Sequence, residues 1–426
     1  MRRVSAFMDA RSVPFVVTMF LAVAGSAYSL FWSALARHGW QSYSDLWNSA
    51  GVSLALGHGH FTAVYAPTSQ IDSPPGFEFV LAPVMVIGHA LGLATVAAEG
   101  DSFKVFGLIL AAVATAIACS VLFALDAVAR SWGYSEAKRL ALSVVAGLGA
   151  LSAAAFWGHP EDCVALAFVV WAALGAERGG EGGAARAGWL LGIAVACQPL
   201  ALLAVTPVAA RFAWRELRAV SWRLVVPTAL VLLPALVATP ARALHAVIDQ
   251  PFAPQTESST PLSHLARALG HGMYSGGTLR LVATAGAVVL GWLACRRRHD
   301  LPWVLFVMAL AFTLRVVLES ELLGFYFFPV AALTLLLSLR RGWSRFEACA
   351  ALSVLCLVLG NRRQHAIELW WPAIIATTVA MLVVAYGAVP RSGAGTAEWA
   401  LPPRRRVGTG RDDVRATISH VRLLDG

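Results

Sequence analysis

A chain of 426 residues, 58% of them hydrophobic and 13% charged, with a mean hydropathy of +0.67, lies far from the soluble balance of about 25% charged residues. That composition excludes a soluble globular domain. The net charge of +9 does not indicate nucleic acid, because most of the basic residues lie in short breaks between apolar segments running from Ser12 to Pro390 and in the tail beyond them.

The segments are Leu/Ala/Val-rich and lack period-two alternation, so the expectation is an all-α polytopic membrane protein and not a barrel. The first apolar run continues from Ser12 to Leu35 without a clear small-residue cleavage site, which reads as a retained span. Further crossings are expected near 104–129, 140–157, 163–176, 224–243, 277–295, 301–318, 325–339, 346–360 and 369–389. Most of the 33 Lys and Arg residues fall in clusters at 2–11, 130–139, 177–186, 211–223, 296–300, 340–345 and beyond Pro390. If all of these face the cytoplasm, segment 187–210 must enter and return on one side. Gln198-Pro199 at its middle supplies the break, because proline removes a backbone donor and disfavours helix at the residue before it. Two short helices dipping into the bundle are expected there. The same parity makes 77–97 a juxtamembrane or re-entrant helix on the outer side, with an ordinary span as the alternative. The count is about twelve transmembrane or partly spanning helices, with both termini inside.

The domain reading is one membrane domain over 1–389, with long outer loops at about 36–75 and 245–276, followed by a flexible basic tail over 390–426. The six cysteines lie in or beside apolar runs without CxxC spacing, so neither disulfides nor a zinc site is expected.

Several polar residues stand out in this apolar background. Asp45 lies in the first outer loop among Trp32, Trp40, Tyr43 and Trp47, where a carboxylate reaches both headgroups and water. It is also a preferred residue type to cap a helix beginning at Leu46. In "GHPED", Pro160 suits a helix start, and Glu161 and Asp162 suit its positive end. His159 and Glu161 read as a polar turn or as part of a site. Arg315 inside "WVLFVMALAFTLRVVLES" is costly in lipid and therefore a functional candidate. Glu319, four residues on, offers it an internal ion pair. His58 and His60 in "GHGHF" lack a third metal ligand and read as loop residues. His264 and His271 in the second outer loop can line a site or pack the loop. Tyr326 in "GFYFFP" can touch a lipid carrier or anchor at the interface.

The outer-loop Asp after the first helix, "VYAP", "SPPGFEFVLAP", "GHPEDCVALAFVVWAALG", "AGWLLGIAVACQPLALLAVTPVAARFAWR" and "FTLRVVLESELLGFYFFP" together resemble the GT-C glycosyltransferases, particularly glycosyltransferase family 87. The resemblance covers most of 12–390 as a pattern. Gln198 stands where many members carry Lys. The resemblance implies a GT-C-like bundle that transfers a sugar, most often mannose, from a polyprenyl-phosphate donor to a lipid or glycan acceptor on the outer face. In that reading Asp45 is the general base and Arg315 the partner of the leaving phosphate, and His159 and Glu161 become candidates for acceptor binding or for tuning the base. No cofactor is implied, and a divalent metal stays open. The competing reading is a transporter or lipid flippase, which a broken hairpin and an intramembrane Arg also fit. Against it, the chain shows no internal repeat. Neither a P-loop nor HExxH occurs.

Overall fold

In a computed structural model the described residues are 2–35, 45–67, 69, 71, 73–93, 101–249, 260, 276–319, 322–360, 367–387 and 389. His264, His271, most of the second long loop and the tail from 390 lie outside them.

Among the described residues the protein is all-helical. In chain order the α-helices are α1 Arg2–Leu35, α2 Leu46–Gly57, α3 Gly76–Ala90, α4 Asp101–Ala118, α5 Ser120–Ser131, α6 Glu136–Leu151, α7 Pro160–Ala176, α8 Gly180–Cys197, α9 Leu202–Ala209, α10 Trp214–Ala238 and α11 Pro240–Leu244. They continue with α12 Gly276–Arg297, α13 Leu301–Leu318, α14 Phe328–Ser338, α15 Trp343–Gly360 and α16 Ile367–Tyr386. Among the described residues, six stretches are long and apolar enough to cross a membrane: Arg11–Phe31, Gly107–Ser131, Glu136–Trp157, Trp214–Ala238, Leu301–Leu318 and Trp343–Gly360. Residues Met1–Val389 form one compact unit.

The break at Gln198-Pro199 falls where proline chemistry puts it. Gln198 is extended at φ −157° and ψ 118°, and a short 3₁₀ turn, Pro199–Ala201, leads into α9. The first arm differs from the expected short helix. It begins at Gly180 and is 18 residues long, about 27 Å at the helical rise. It is long because the "GGEGGAAR" segment read as a loop continues the helix from its second glycine. α8 packs on α10 through Gly188 and Gly192. A Cβ at these positions would lie 2.7 Å from the Val220 carbonyl oxygen and 2.6 Å from that of Leu224. This is the small-xxx-small contact that lets helix backbones approach where lipid removes the hydrophobic drive to associate.

The basic breaks meet at one end of the bundle. The Arg340 guanidinium covers the Trp132 ring at 4.9 Å, the Tyr134 hydroxyl donates to the Leu336 carbonyl at 3.3 Å, and Arg211 pairs with Glu177 at 2.6 Å. Buried Asp126 accepts from Arg139 at 2.6 Å and forms an ion pair with Arg130 at 3.0 Å. Gly291 of α12 packs on Pro207 of α9, which brings the 296–298 cluster towards the same end. From there α6 runs away to Trp157, α7 returns, and α8 runs out again to Gln198. The segment α8–α9 thus starts beside Glu177 and comes back to Arg211.

The largest apolar cluster joins α5–α9 to α12–α16. A second holds α2, α3 and α4 together through Leu46, Leu54, Phe77, Leu81 and Leu110. A third ties α2 to α10 and α11 through Leu56, Val64, Tyr65, Ala235 and Ala243. α2 and α3 therefore form a small hairpin-like layer, and the start of α3 is pressed against the apex of the broken helix: a side chain at Gly76 would strike the Ala196 backbone.

Candidate functional site

Far from the basic breaks, α6 ends in a π-helical turn, Ser152–Trp157, a feature frequent at functional sites. Gly158 follows at φ +77°, where a side chain would be strained, and the His159 N–H donates to the Ala153 carbonyl at 2.8 Å. Pro160 opens α7 at its first position, placing Glu161 and Asp162 in the first turn.

This turn aims His159 between two carboxylates. Its Nε2 lies 2.9 Å from Asp45 Oδ2 and its Nδ1 2.7 Å from Glu161 Oε1. The ring stacks on Phe325 at 4.1 Å and 18°. Burial acts to depress the imidazolium, but the charge of Glu161 and hydrogen bonds to both carboxylates outweigh it and hold His159 well above its ordinary value. Burial acts to raise the Asp45 carboxyl, but the hydrogen bond and charge of His159 leave it below its ordinary value.

Asp45 precedes α2, yet its side chain makes no capping hydrogen bond. The local expectation of a cap is corrected: the carboxylate is recruited across 114 residues by His159, and the Asp45 N–H donates to the Trp157 carbonyl at 3.3 Å. The side chain is 58% exposed.

A second cluster gathers on α12 and α13. Arg315 Nε donates to Glu319 Oε2 at 3.1 Å, and Arg280 Nε donates to Oε1 of the same carboxylate at 3.2 Å. The Arg315–Glu319 ion pair expected from spacing is thus present, but it is shared with a second arginine. Two guanidiniums face one carboxylate, and Arg315 Nη1 is buried without a hydrogen-bond partner among the described residues. Tyr326 is buried with its ring 4.1 Å from the Arg315 Cζ, so it packs inside the bundle rather than at its rim. The Thr260 hydroxyl donates to the Glu319 carbonyl at 2.8 Å, tying the second long loop to this cluster.

The two clusters share a wall. Phe325, stacked on His159, meets Tyr326 edge-on at 4.5 Å. Asp45 and Arg315 are therefore joined by one hydrogen bond and three successive ring contacts.

Beside them, Gln198 Nε2 donates to Asp162 Oδ1 at 2.6 Å at the apex of the broken helix. Asp162 is buried, and its Oδ2 has no partner among the described residues. Ser49 donates to buried Glu78 at 3.0 Å. His58 and His60 are not part of this assembly. His58 Nδ1 lies 2.8 Å from the Leu54 carbonyl and its ring stands edge-on to His89, while His60 is exposed before a short turn. Among the described residues, no group of three or more His, Cys, Asp and Glu is arranged to hold a metal ion.

Sequence reading missed Arg280, Phe325, Glu78 and Thr260. Arg280 and Glu78 carried a usable signal, each being a charge at the start of an apolar run. Phe325 carried none, since its role depends on what it stacks against. No family model, curated protein or solved structure matches the chain.

Proposed function

We propose that the chain is an inverting membrane glycosyltransferase of GT-C-like architecture, resembling glycosyltransferase family 87. In this reading about twelve spanning or partly spanning helices carry two outer loops, both termini are cytoplasmic, and the site opens on the outer face. The observation that supports it best is that an exposed carboxylate, Asp45, and the buried Arg315 guanidinium lie on either side of the Phe325–Tyr326 wall.

The donor is a polyprenyl-phosphate sugar, with mannose the first to try, and the acceptor a lipid or glycan hydroxyl. Asp45 takes the hydroxyl proton as the acceptor oxygen bonds to the anomeric carbon. The bond from that carbon to the phosphate oxygen breaks on the opposite side, and the polyprenyl phosphate leaves against Arg315. Its unused Nη1 is shaped for a phosphate oxygen, and Tyr326 and Glu319 hold the guanidinium in place. General-base help is worth on the order of 10² to 10⁴ in rate, and loss of one preorganised donor to developing charge about 10² to 10³.

A transporter or lipid flippase is the second reading, favoured by the discontinuous α8–α9 pair whose apex touches buried Asp162. Reconstitution with polyprenyl-phosphate-mannose and candidate acceptors separates the two. The wild-type protein should form product, Asp45→Asn should lose about 10² to 10⁴ of kcat, and Arg315→Gln about 10² or more. Full transfer by Asp45→Asn removes the base assignment. Tracer flux without product formation favours the transporter.

A further inference from the structure

A neutral imidazole has one donor and one acceptor nitrogen, so it satisfies only one ionised carboxylate. His159 has a carboxylate oxygen within hydrogen-bond distance of each nitrogen, at 2.9 and 2.7 Å. With both carboxylates ionised, only the imidazolium satisfies the two contacts. Phe325 covers one face at 4.1 Å, and the backbone is tied on both sides by the Ala153 hydrogen bond and Pro160.

We propose that His159 and Glu161 are the positioning pair of the base: a doubly hydrogen-bonded imidazolium fixes Oδ2 of Asp45 and leaves Oδ1 as the atom that receives the acceptor's proton. The inference rests on the reading of Asp45 as base and deepens it. Glu161 acts through His159, holding Nδ1; burial pushes its own carboxyl above the ordinary value, the charge and hydrogen bond of His159 oppose this, and in its ionised form it supplies the charge that keeps the ring protonated. The exposure of Asp45 suits an atom that meets substrate, and the 12% exposure of Glu161 suits one that does not.

The charged groups around His159 are Asp45 on the approach to α2 and Glu161 and Asp162 on the first turn of α7. Arg315 of α13 stands beyond Phe325 and Tyr326. Glu161 raises the histidine's proton affinity, so removing its charge lowers it. Transfer activity should then fall on the alkaline side as His159 deprotonates, with the wild-type limb above the ordinary histidine range. In Glu161→Gln the amide oxygen still accepts from Nδ1, but the limb should move towards neutral. His159→Gln keeps a neutral donor near Asp45 and should abolish the limb, cutting kcat at least tenfold with little change in KM for the acceptor.

A second readout does not need turnover. With ¹³C-histidine in nanodiscs, the signal lost in His159→Gln should titrate above the ordinary histidine range and shift down in both Glu161→Gln and Asp45→Asn. If wild type transfers sugar while both His159→Gln and Glu161→Gln keep its alkaline limb, the positioning pair is overturned and the transferase reading stands. If wild type transfers nothing, the transferase reading falls and the titration alone decides the imidazolium clamp. An ordinary titration of His159, unmoved in the variants, overturns it.

Discussion

Asp162 and Gln198 show how one buried residue sets the requirements of another. The carboxylate is 1% exposed and receives the Gln198 amide at 2.6 Å, so the glutamine supplies a hydrogen bond that water does not reach to replace. Gln198→Leu should destabilise the protein by about 1–3 kcal/mol, the cost of leaving a buried polar group unsatisfied. Thermal unfolding in detergent checks this, and a double-mutant cycle with Asp162→Ala should show strong coupling; additive effects would mean that the contact contributes nothing. The acids of "GHPED" were visible in the sequence as favourable groups at a helix N-terminus. Their division of labour was not: Glu161 turns to His159 and Asp162 to Gln198, partners 2 and 36 residues away. Asp45 is a sharper case, since its local signal pointed to a cap and a stronger cationic partner overrode it.

At the scale of elements, the broken α8–α9 helix was legible because proline acts on its own neighbours. Its packing was only half legible. Gly188 and Gly192 form a small-xxx-small spacing, but Gly182 lies on the same helix with nothing near its would-be Cβ. Gly192→Leu should force α8 from α10 and cost about 1–3 kcal/mol or more, as overpacking does. Gly182→Ala should be neutral or stabilise by up to about 1 kcal/mol, since alanine is the better helix former. Thermal unfolding of both variants tests the contrast; equal effects would show that close approach at Gly192 does not hold the pair. The arginine cluster has the same dual character. The Arg315–Glu319 pair followed from i, i+4 spacing on one helix, whereas Arg280 arrives from α12 and was unforeseeable as its third member.

At the scale of the whole molecule, basic breaks gather at one end and the Asp45, His159 and Arg315 assembly at the other. The proposed orientation, which follows the positive-inside rule, puts the first end in the cytoplasm. The native cysteines are all buried, so single introduced cysteines can report sidedness. Thr62→Cys, exposed beyond α2, should react with a membrane-impermeant maleimide in intact cells. Arg218→Cys, exposed on α10 near the basic end, should react only after permeabilisation. The reverse pattern would place the assembly on the cytoplasmic side.

Composition and apolar patterning by themselves determined the membrane class, the helical state, most helix positions and the break at Gln198, because these depend on a bilayer's length scale and on backbone chemistry local to each segment. Tertiary structure alone decided which polar groups meet. The clamp joins residues 45, 159 and 161, its wall comes from 325 and 326, and the arginine cluster adds 280 to 315 and 319. Hydrogen bonds and ring contacts require atoms within a few ångströms, and only the packing of α1–α16 brings positions so distant in the chain that close.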